Sequence, residues 1–172
     1  MSSARVLPFV GRGSMAGFTL IELMITLAIA AILATIAVPS FNEAMLGSKL
    51  NTLANNFVSS AQLARSEAIK RNAPVTLCAS SNGSTCTGGW SDGWVVRGGG
   101  AVISRQIPLP GSFRLSGDVT SIVFQPTGVG ATSANLTLCR ATPTVGSQGR
   151  TIQVGPTGRP GVTKLTGVTT CS

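Results

Sequence analysis

Residues 17–38 read GFTLIELMITLAIAAILATIAV, and this stretch decides how the chain is organised. From Phe18 to Val38 it contains 21 residues with a single charge, Glu22. An α-helix of that length spans about 31 Å, the thickness of the hydrocarbon core of a bilayer. Arg5 and Arg12 precede the run, so we expect residues 1–17 to stay cytoplasmic while the rest crosses. The run is longer than a secretory signal and lacks a small-residue cleavage site after it, which indicates a membrane anchor.

Glu22 places a carboxylate inside this apolar run. On insertion scales a charge at the centre of a lipid-embedded helix costs roughly 2.5–3.5 kcal/mol, so such a residue normally marks a function or a partner. Glu22 also lies near the end of the run, where a side chain can extend to the membrane surface. Taken alone, the residue leaves both interpretations open.

Residues 17–22, GFTLIE, followed by an apolar helix, resemble the class III signal of type IV pilins and type II secretion pseudopilins. In that family a prepilin peptidase cuts after the glycine and methylates the new N-terminal phenylalanine, and the glutamate pairs with the N-terminal amine of a neighbouring subunit. The resemblance implies a leader at residues 1–17, cleavage after Gly17, N-methylation of Phe18 and an assembly role for Glu22. Residues 18–38 would form the transmembrane and filament-core helix.

The leader departs from the family pattern at one position. Ala16 stands where the family usually has Lys or Arg just before the glycine. Met15 is an alternative start, but it would leave a very short leader without charge. The longer leader, with Arg12 as its nearest basic residue, is therefore preferred.

A helical stripe of apolar residues continues beyond Pro39, a residue that should kink or loosen the helix. The stripe recurs at spacings of three and four residues and ends in alanines, which would let a sheet approach closely. Its members are Leu46, Leu50, Leu53, Phe57, Ala61, Ala64 and Ala68. The pattern predicts one helix from about residue 19 to 71, ended by Asn72-Ala73-Pro74, with its second half packed on a domain.

From Pro74 onward the sequence alternates and is rich in Val, Thr and Ile, which indicates short strands. The predicted strands are Val75–Ala79, Trp94–Arg97, Ala101–Ile107, Ser121–Gln125, Asn135–Arg140 and Thr151–Val154. Turn clusters separate them at residues 80–89, 98–100, 126–128 and 144–149. The pattern predicts an α+β fold, a long helix packed on a small antiparallel β-sheet. We expect one globular head at 39–172, made of helix residues 39–71 and a β domain at 74–172.

The composition argues against an enzyme. Charged residues make up 10% of the chain, against about 25% in ordinary soluble domains, which indicates that part of the chain lies in lipid or in a packed assembly. Histidine is absent, which excludes Ser-His-Asp triads, histidine proton relays and His-rich zinc sites. The five carboxylates are scattered, so a catalytic carboxylate pair is improbable. We expect no catalytic residue, no metal and no cofactor.

Four cysteines lie in the polar part of the chain, at Cys78, Cys86, Cys139 and Cys171. Their spacing fits no CxxC metal or redox motif, and an even count in an exported segment favours two disulfides over free thiols. Three connectivities exist. We favour Cys78–Cys86 with Cys139–Cys171, since this pairing closes one short loop and ties down the last residues.

A second resemblance narrows the family. The segments Leu77-Cys78, Cys86, residues 90–94 (WSDGW) and residues 122–128 (IVFQPTG) are similar to the FimT/FimU minor pilins, a branch related to the GspH pseudopilins. The resemblance runs from Gly17 to roughly Arg159 and implies the type IV pilin fold. From the residues themselves, the two tryptophans of WSDGW are expected to pack in the core, and its aspartate to form a turn.

Basic charge dominates the C-terminal part. Without the leader the chain keeps 11 basic and 5 acidic residues, and no acid follows Asp118. The basic residues beyond it are Arg140, Arg150, Arg159 and Lys164. The residues alone favour a solvated basic surface over a DNA-binding site.

The family shifts that balance, because FimT-type pilins of competent bacteria bind DNA through a C-terminal G-R-x-R motif. Gly158-Arg159 matches the first half, but Gly161 replaces the second Arg. Arg159, helped by Arg150, Lys164 and Arg140, is the candidate DNA contact. No aromatic residue lies near the tail to stack on bases, so we expect weak, salt-dependent binding of any sequence.

Three functions follow from these resemblances, in order of preference. The first is a minor pilin that helps to start type IV pilus assembly at or near the tip. The second is a DNA-binding pilin for natural transformation, and the third is a GspH-type pseudopilin of type II secretion. We expect a single-pass inner-membrane protein with its head in the periplasm that later enters the extracellular pilus. Its expected partners are other pilins, the prepilin peptidase and, for the second function, DNA.

Overall fold

The computed structural model describes residues 17–129 and 131–171, which divide into two compact units between residues 41 and 42. One helix, α1 (Leu20–Arg71), contributes to both units and contains Pro39. It is followed by β1 (Val75–Ala79), a short 3₁₀ helix (Trp90–Asp92), β2 (Trp94–Gly98), β3 (Ala101–Gln106), β4 (Phe113–Gly117), β5 (Ser121–Phe124), β6 (Ala134–Arg140), β7 (Gln148–Val154) and β8 (Pro160–Thr166).

The first unit contains the N-terminal turns of α1. The Glu22 N–H donates a 3.2 Å hydrogen bond to Thr19 Oγ1, so Thr19 caps the helix and fixes its first residue at Leu20. The large apolar side chains that follow are exposed; Ile25, for example, is 53% exposed and Leu33 61%. Within the part of the chain that the structure describes, α1 is the one helix long and apolar enough to cross a membrane.

The second unit holds two antiparallel sheets of four strands. Sheet 1 has the order β3-β2-β1-β5, and sheet 2 has the order β4-β6-β7-β8. In sheet 1, Leu77 of β1 lies opposite Val96 of β2 and Ile122 of β5. In sheet 2, β8 is an edge strand that pairs with β7 along its whole length, from Val154 opposite Pro160 to Gln148 opposite Thr166.

One face of α1 supplies the core of this unit. Its buried residues are Leu46, Leu50, Ala54, Phe57, Ala61, Ala64 and Ala68, and they join the inward-facing strand residues in one cluster. Six of the seven were predicted. The seventh predicted member, Leu53, is only partly buried but packs against the cluster, and the turn of the helix places the smaller Ala54 in the fully buried position.

The WSDGW segment packs as predicted. Trp90 and Trp94 both contact Phe57 edge-on, with ring centroids 5.4 Å and 5.3 Å away. Their indole N–H groups donate to Val119 O (2.6 Å) and Ser60 Oγ (2.9 Å), so burying the rings leaves no polar atom without a partner. Asp92 forms the predicted turn by accepting a 2.9 Å bond from Gly89 N.

The six predicted strands are present, with ends that differ by up to three residues. The structure adds two strands that were not predicted, β4 and β8, and divides the strands between two sheets. The predicted turn at 144–149 is shorter than expected, since Gln148 and Gly149 begin β7.

Two disulfides are present, Cys78–Cys86 and Cys139–Cys171. They are the pairs that the sequence analysis favoured. The first bond joins Cys78 of β1 to Cys86, which lies in the loop between β1 and the 3₁₀ helix. The second joins β6 to the residues that follow β8, so that β7 and β8 lie entirely within the loop it closes.

Candidate functional site

The two residues of the predicted cleavage site, Gly17 and Phe18, lie just before α1. Among the described residues no atom lies within 4 Å of the position that a Cβ on Gly17 would take, and Phe18 is 81% exposed. The chain on either side of the predicted cut at residues 17 and 18 precedes the first helical residue, so no helical hydrogen bond has to break there. The rest of the predicted leader, residues 1–16, lies outside the described residues.

Glu22 lies in the first turn of α1 with its side chain exposed. A carboxylate there is favoured by the positive end of the helix dipole. Within the described residues, ion pairs are confined to Glu67 with Lys70 and Arg71, so Glu22 forms none. Its charge is therefore available to a group outside the chain.

Arg159 and Lys164 of the predicted basic site are exposed. Arg159 directly precedes β8, and Lys164 lies within it, opposite Arg150 of β7. Arg140, at the end of β6, is half-buried, and its Nε donates a 3.2 Å bond to Thr144 O. The fold therefore presents Arg159 and Lys164 along one sheet edge, while Arg140 lies on the inner strand β6 and shares the neighbourhood of Glu43 with Lys164.

Arg150 does not suit the role of a DNA contact. It is only 5% exposed, and its guanidinium donates to Asn51 Oδ1 (2.7 Å), Gly149 O (2.6 Å) and Gly47 O (3.3 Å). A buried charge is stable only when such bonds replace its lost water. Arg150 joins sheet 2 to α1, and the expectation that it helps Arg159 to bind phosphate is corrected accordingly.

Glu43 is a charged residue that the sequence analysis missed. Its carboxylate accepts a 2.6 Å bond from Ser147 Oγ and a 3.0 Å bond from Gln148 Nε2. These bonds lower the pKa of Glu43, first through Ser147, and the nearby charges of Arg140 and Lys164 lower it further. The carboxylate thus offsets part of the positive field at the Lys164 end of β8. Over 100 residues separate Glu43 from its hydrogen-bond donors, so no local pattern shows the contact.

Two surface cavities lie between α1 and β8. One, of about 540 Å³, is lined by helix residues from Glu43 to Asn55 together with Gln148, Arg150 and Lys164. The other, of about 460 Å³, is lined by Gln62, Arg65, Ser66, Ile69, Arg159 and Pro160. No role was predicted for Arg65. The structure places it at the same cavity as Arg159, which sequence spacing cannot show.

Comparison with known proteins identifies the class. A model of the prokaryotic N-terminal methylation motif matches residues 12–38. Two crystal structures of the type IV minor pilin FimU from Pseudomonas aeruginosa share the fold. One has a TM-score of 0.53, is 18% identical, and covers 66% of this chain and 92% of its own; the other has 0.55, 18%, 67% and 89%. The long helix on antiparallel sheets is therefore the type IV pilin fold.

The family follows from the longest match. The model of the type II transport protein GspH matches residues 53–158, more than half of the chain, so the chain belongs to the GspH family. Members of this pilin-like class are structural proteins rather than enzymes. The search of curated proteins finds no match. The apolar helix and the methylation motif together indicate membrane anchoring.

Proposed function

We propose that this chain is a minor pilin of a type IV pilus that helps to start assembly at or near the tip. Prepilin peptidase would cut after Gly17 and methylate Phe18, and the head would lie in the periplasm until the subunit leaves the inner membrane. The observation that carries the proposal is the methylation motif at the start of an exposed apolar helix whose carboxylate, Glu22, forms no ion pair within the described residues.

The physical role of Glu22 follows from its surroundings. In the membrane the carboxylate is surrounded by lipid on an apolar helix, which costs roughly 2.5–3.5 kcal/mol at the helix centre and less near its end. A neighbouring subunit that offers its N-terminal amine recovers this cost as an ion pair. Because the monomer lacks that partner, the charge favours the assembled filament over the free subunit.

Replacing Glu22 with Val tests this role, with Thr26→Val as the matched control one turn along α1. We expect Glu22→Val to insert in the membrane and to be processed, while its amount in sheared pili falls at least tenfold. Thr26→Val should remain near wild type. Equal incorporation of Glu22→Val would show that the carboxylate has no assembly role. Mass spectrometry of the mature protein should find N-methylated Phe18 as the first residue.

A second candidate function is DNA binding for natural transformation. It is supported by the exposed cations Arg159 and Lys164 on the β8 edge and by the absence of any acid after Asp118 in the sequence. Phosphate contacts give binding that weakens as salt rises and that does not depend on sequence.

DNA binding is tested with the mature full-length protein in neutral detergent and a fluorescent DNA duplex over a range of salt concentrations. We expect binding that weakens with salt and is reduced in Arg159→Gln. Arg105→Gln, an exposed change of the same charge on β3 of sheet 1, is the control. No binding at low salt would exclude the DNA function and leave the assembly function in place.

A third candidate, a pseudopilin of type II secretion, is supported by the family model, whose name refers to type II transport. Deleting the gene distinguishes it from the first candidate. Loss of pili with normal protein secretion supports the minor pilin. Loss of secretion with normal pili supports the pseudopilin.

A further inference from the structure

The 460 Å³ cavity beside the C-terminal half of α1 contains two guanidinium groups. Gln62, Arg65, Ser66 and Ile69 line it from the helix, and Arg159 and Pro160 line it from the start of β8. None of these six residues is acidic. Two positive charges at one cavity repel each other. An anion that lies between them removes this repulsion and stabilises the site.

Arg65 is held in a fixed position. Its Nε donates a 2.9 Å bond to Gly128 O. Its Cδ lies 3.5 Å from the position that a Cβ on Gly158 would take, so the glycine lets this turn lie close to the side chain. Among the described residues the two terminal amino groups of the guanidinium have no acceptor, so they are available to a ligand. A planar guanidinium fixed in this way loses little entropy on binding an oxyanion.

Arg159 reaches the cavity from a backbone fixed on both sides. Before it, Gly158 N donates a 2.8 Å bond to Gly155 O and closes a turn. After it, Pro160 pairs with Val154 of β7. The side chain itself is exposed and makes no hydrogen bond within the described part of the chain. The backbone of Arg159 is therefore fixed in position, while its side chain can reorient so that the guanidinium contacts a ligand.

The nearest acid on the helix does not neutralise the pair. Glu67 is bonded to Arg71 Nε at 2.6 Å and lies 3.5 Å from Lys70 Nζ. Two positions along a helix is a rotation of about 200°, so Glu67 faces away from Arg65. The positive field at the cavity is not cancelled from within the described helix.

We propose that Arg65 and Arg159 bind one phosphate group of a nucleic-acid backbone from its two sides. Guanidinium groups match phosphate oxygens with paired hydrogen bonds, and the side-chain amide of Gln62 can add a neutral donor. Lys164 binds another phosphate of the same strand, since five residues of β-strand place it about 17 Å from Arg159. A second cation on the same edge favours a polyanion over an isolated phosphate ion. The inference rests on the second candidate function and adds Arg65 to it.

The test measures duplex binding by the mature full-length protein in neutral detergent against salt concentration. We expect Arg65→Gln and Arg159→Gln each to weaken binding on the order of fivefold, and to lower the log–log salt slope by about 0.9 if the phosphate contact is lost. Because both residues hold one phosphate, the double variant should be much less than 25-fold weaker, on the order of fivefold to tenfold. Lys164 is expected to act independently of the two arginines. When Lys164→Gln is combined with either change, the two fold-losses in affinity should therefore multiply.

Two further variants separate the possible explanations: Arg65→Lys, which conserves the charge, and Arg105→Gln, which removes a charge at another position. Arg65→Lys keeps the charge and should restore most of the salt slope, which a purely structural role for Arg65 would not require. Arg105→Gln removes one charge elsewhere and should change binding less than twofold. If Arg65→Gln binds like Arg105→Gln, the cavity is not a phosphate site although the protein binds DNA. If wild type binds no DNA at low salt, the DNA function and this site both fail.

Discussion

Arg150 and Arg159 show how burial decides what an arginine does. Both were grouped as basic residues of the C-terminal part, because a sequence shows their charge and not their surroundings. In the fold Arg150 is 5% exposed and donates to three acceptors, while Arg159 is exposed with its guanidinium free among the described residues. The bonds of Arg150 therefore stabilise the fold, whereas the guanidinium of Arg159 is left for the ligand proposed above.

Arg150→Met should lower the free energy of unfolding by about 2 kcal/mol, because Asn51 Oδ1 and two carbonyl groups lose their buried donor. Arg159→Met is the matched control and should change stability by less than about 0.5 kcal/mol, as exposed substitutions usually do. Chemical denaturation of both variants measures the difference. Equal stability of the two variants would mean that the Arg150 bonds contribute nothing net.

Asp118 should make stability depend on acid pH. Its two carboxylate oxygens accept 2.9 Å bonds from Asn135 N and Nδ2, and these bonds lower its pKa, first through the backbone N–H. A carboxyl whose folded pKa lies below its ordinary value of 3.8 adds stability above that pH and loses it as pH falls through the folded value. Asp118→Asn should therefore unfold at a lower temperature than wild type at pH 7, with the difference shrinking below pH 3.8. A difference that stays constant with pH would contradict this account.

Helix α1 and six of the eight strands in the described part of the chain could be predicted because their apolar residues recur with the period of the element. The two missed strands lack that signal for different reasons. β4 has only two buried residues, Phe113 and Leu115, in a short segment that has Gly111 before it and ends at Gly117. β8 is exposed at nearly every position and begins with Pro160, because an edge strand has little core to face. The pairing of β8 with β7 depends on the tertiary structure and is not visible in the local sequence pattern.

The candidate site was predictable only where a motif carried it. Gly17, Phe18 and Glu22 follow one another in the chain, so their pattern is visible in the sequence. Arg65 and Arg159 line one cavity because the fold brings α1 and the start of β8 together, although the two residues are 94 positions apart in the chain. Neither composition nor spacing can show a contact of that kind.

The alanines of α1 let the helix lie close to the sheets, which makes them sensitive to size. Ala64 is fully buried, so Ala64→Leu forces added volume into a packed core and should cost about 1–3 kcal/mol. Asn55→Leu, an exposed change on the same helix, is the control and should be near neutral. Thermal unfolding of the two variants checks this. A neutral Ala64→Leu would show that the interface has room to spare.

The molecule as a whole combines an exposed apolar helix segment with a head held by two disulfides. The chain-entropy model relates the value of each bond to the loop it closes. The separations are 32 residues for Cys139–Cys171 and 8 for Cys78–Cys86. Replacing both cysteines of the longer loop with serine should therefore cost about 3–4 kcal/mol, and of the shorter about 2–3 kcal/mol. Denaturation of the two double variants gives the order, and the reverse order would mean that native-state contacts outweigh loop length.

The Cys139–Cys171 bond also determines how the head would carry a mechanical load. An edge strand held only by hydrogen bonds can be peeled from its neighbour one pair at a time, starting from its free end. Here the chain beyond β8 returns to β6, an inner strand of sheet 2, through a covalent bond. A pull on anything tied to β8 is therefore shared between the β7 pairing and that bond. The edge strand that carries Arg159 and Lys164 is thus covalently attached to the centre of sheet 2. Without the disulfide, the same force could separate β8 from β7 one residue pair at a time.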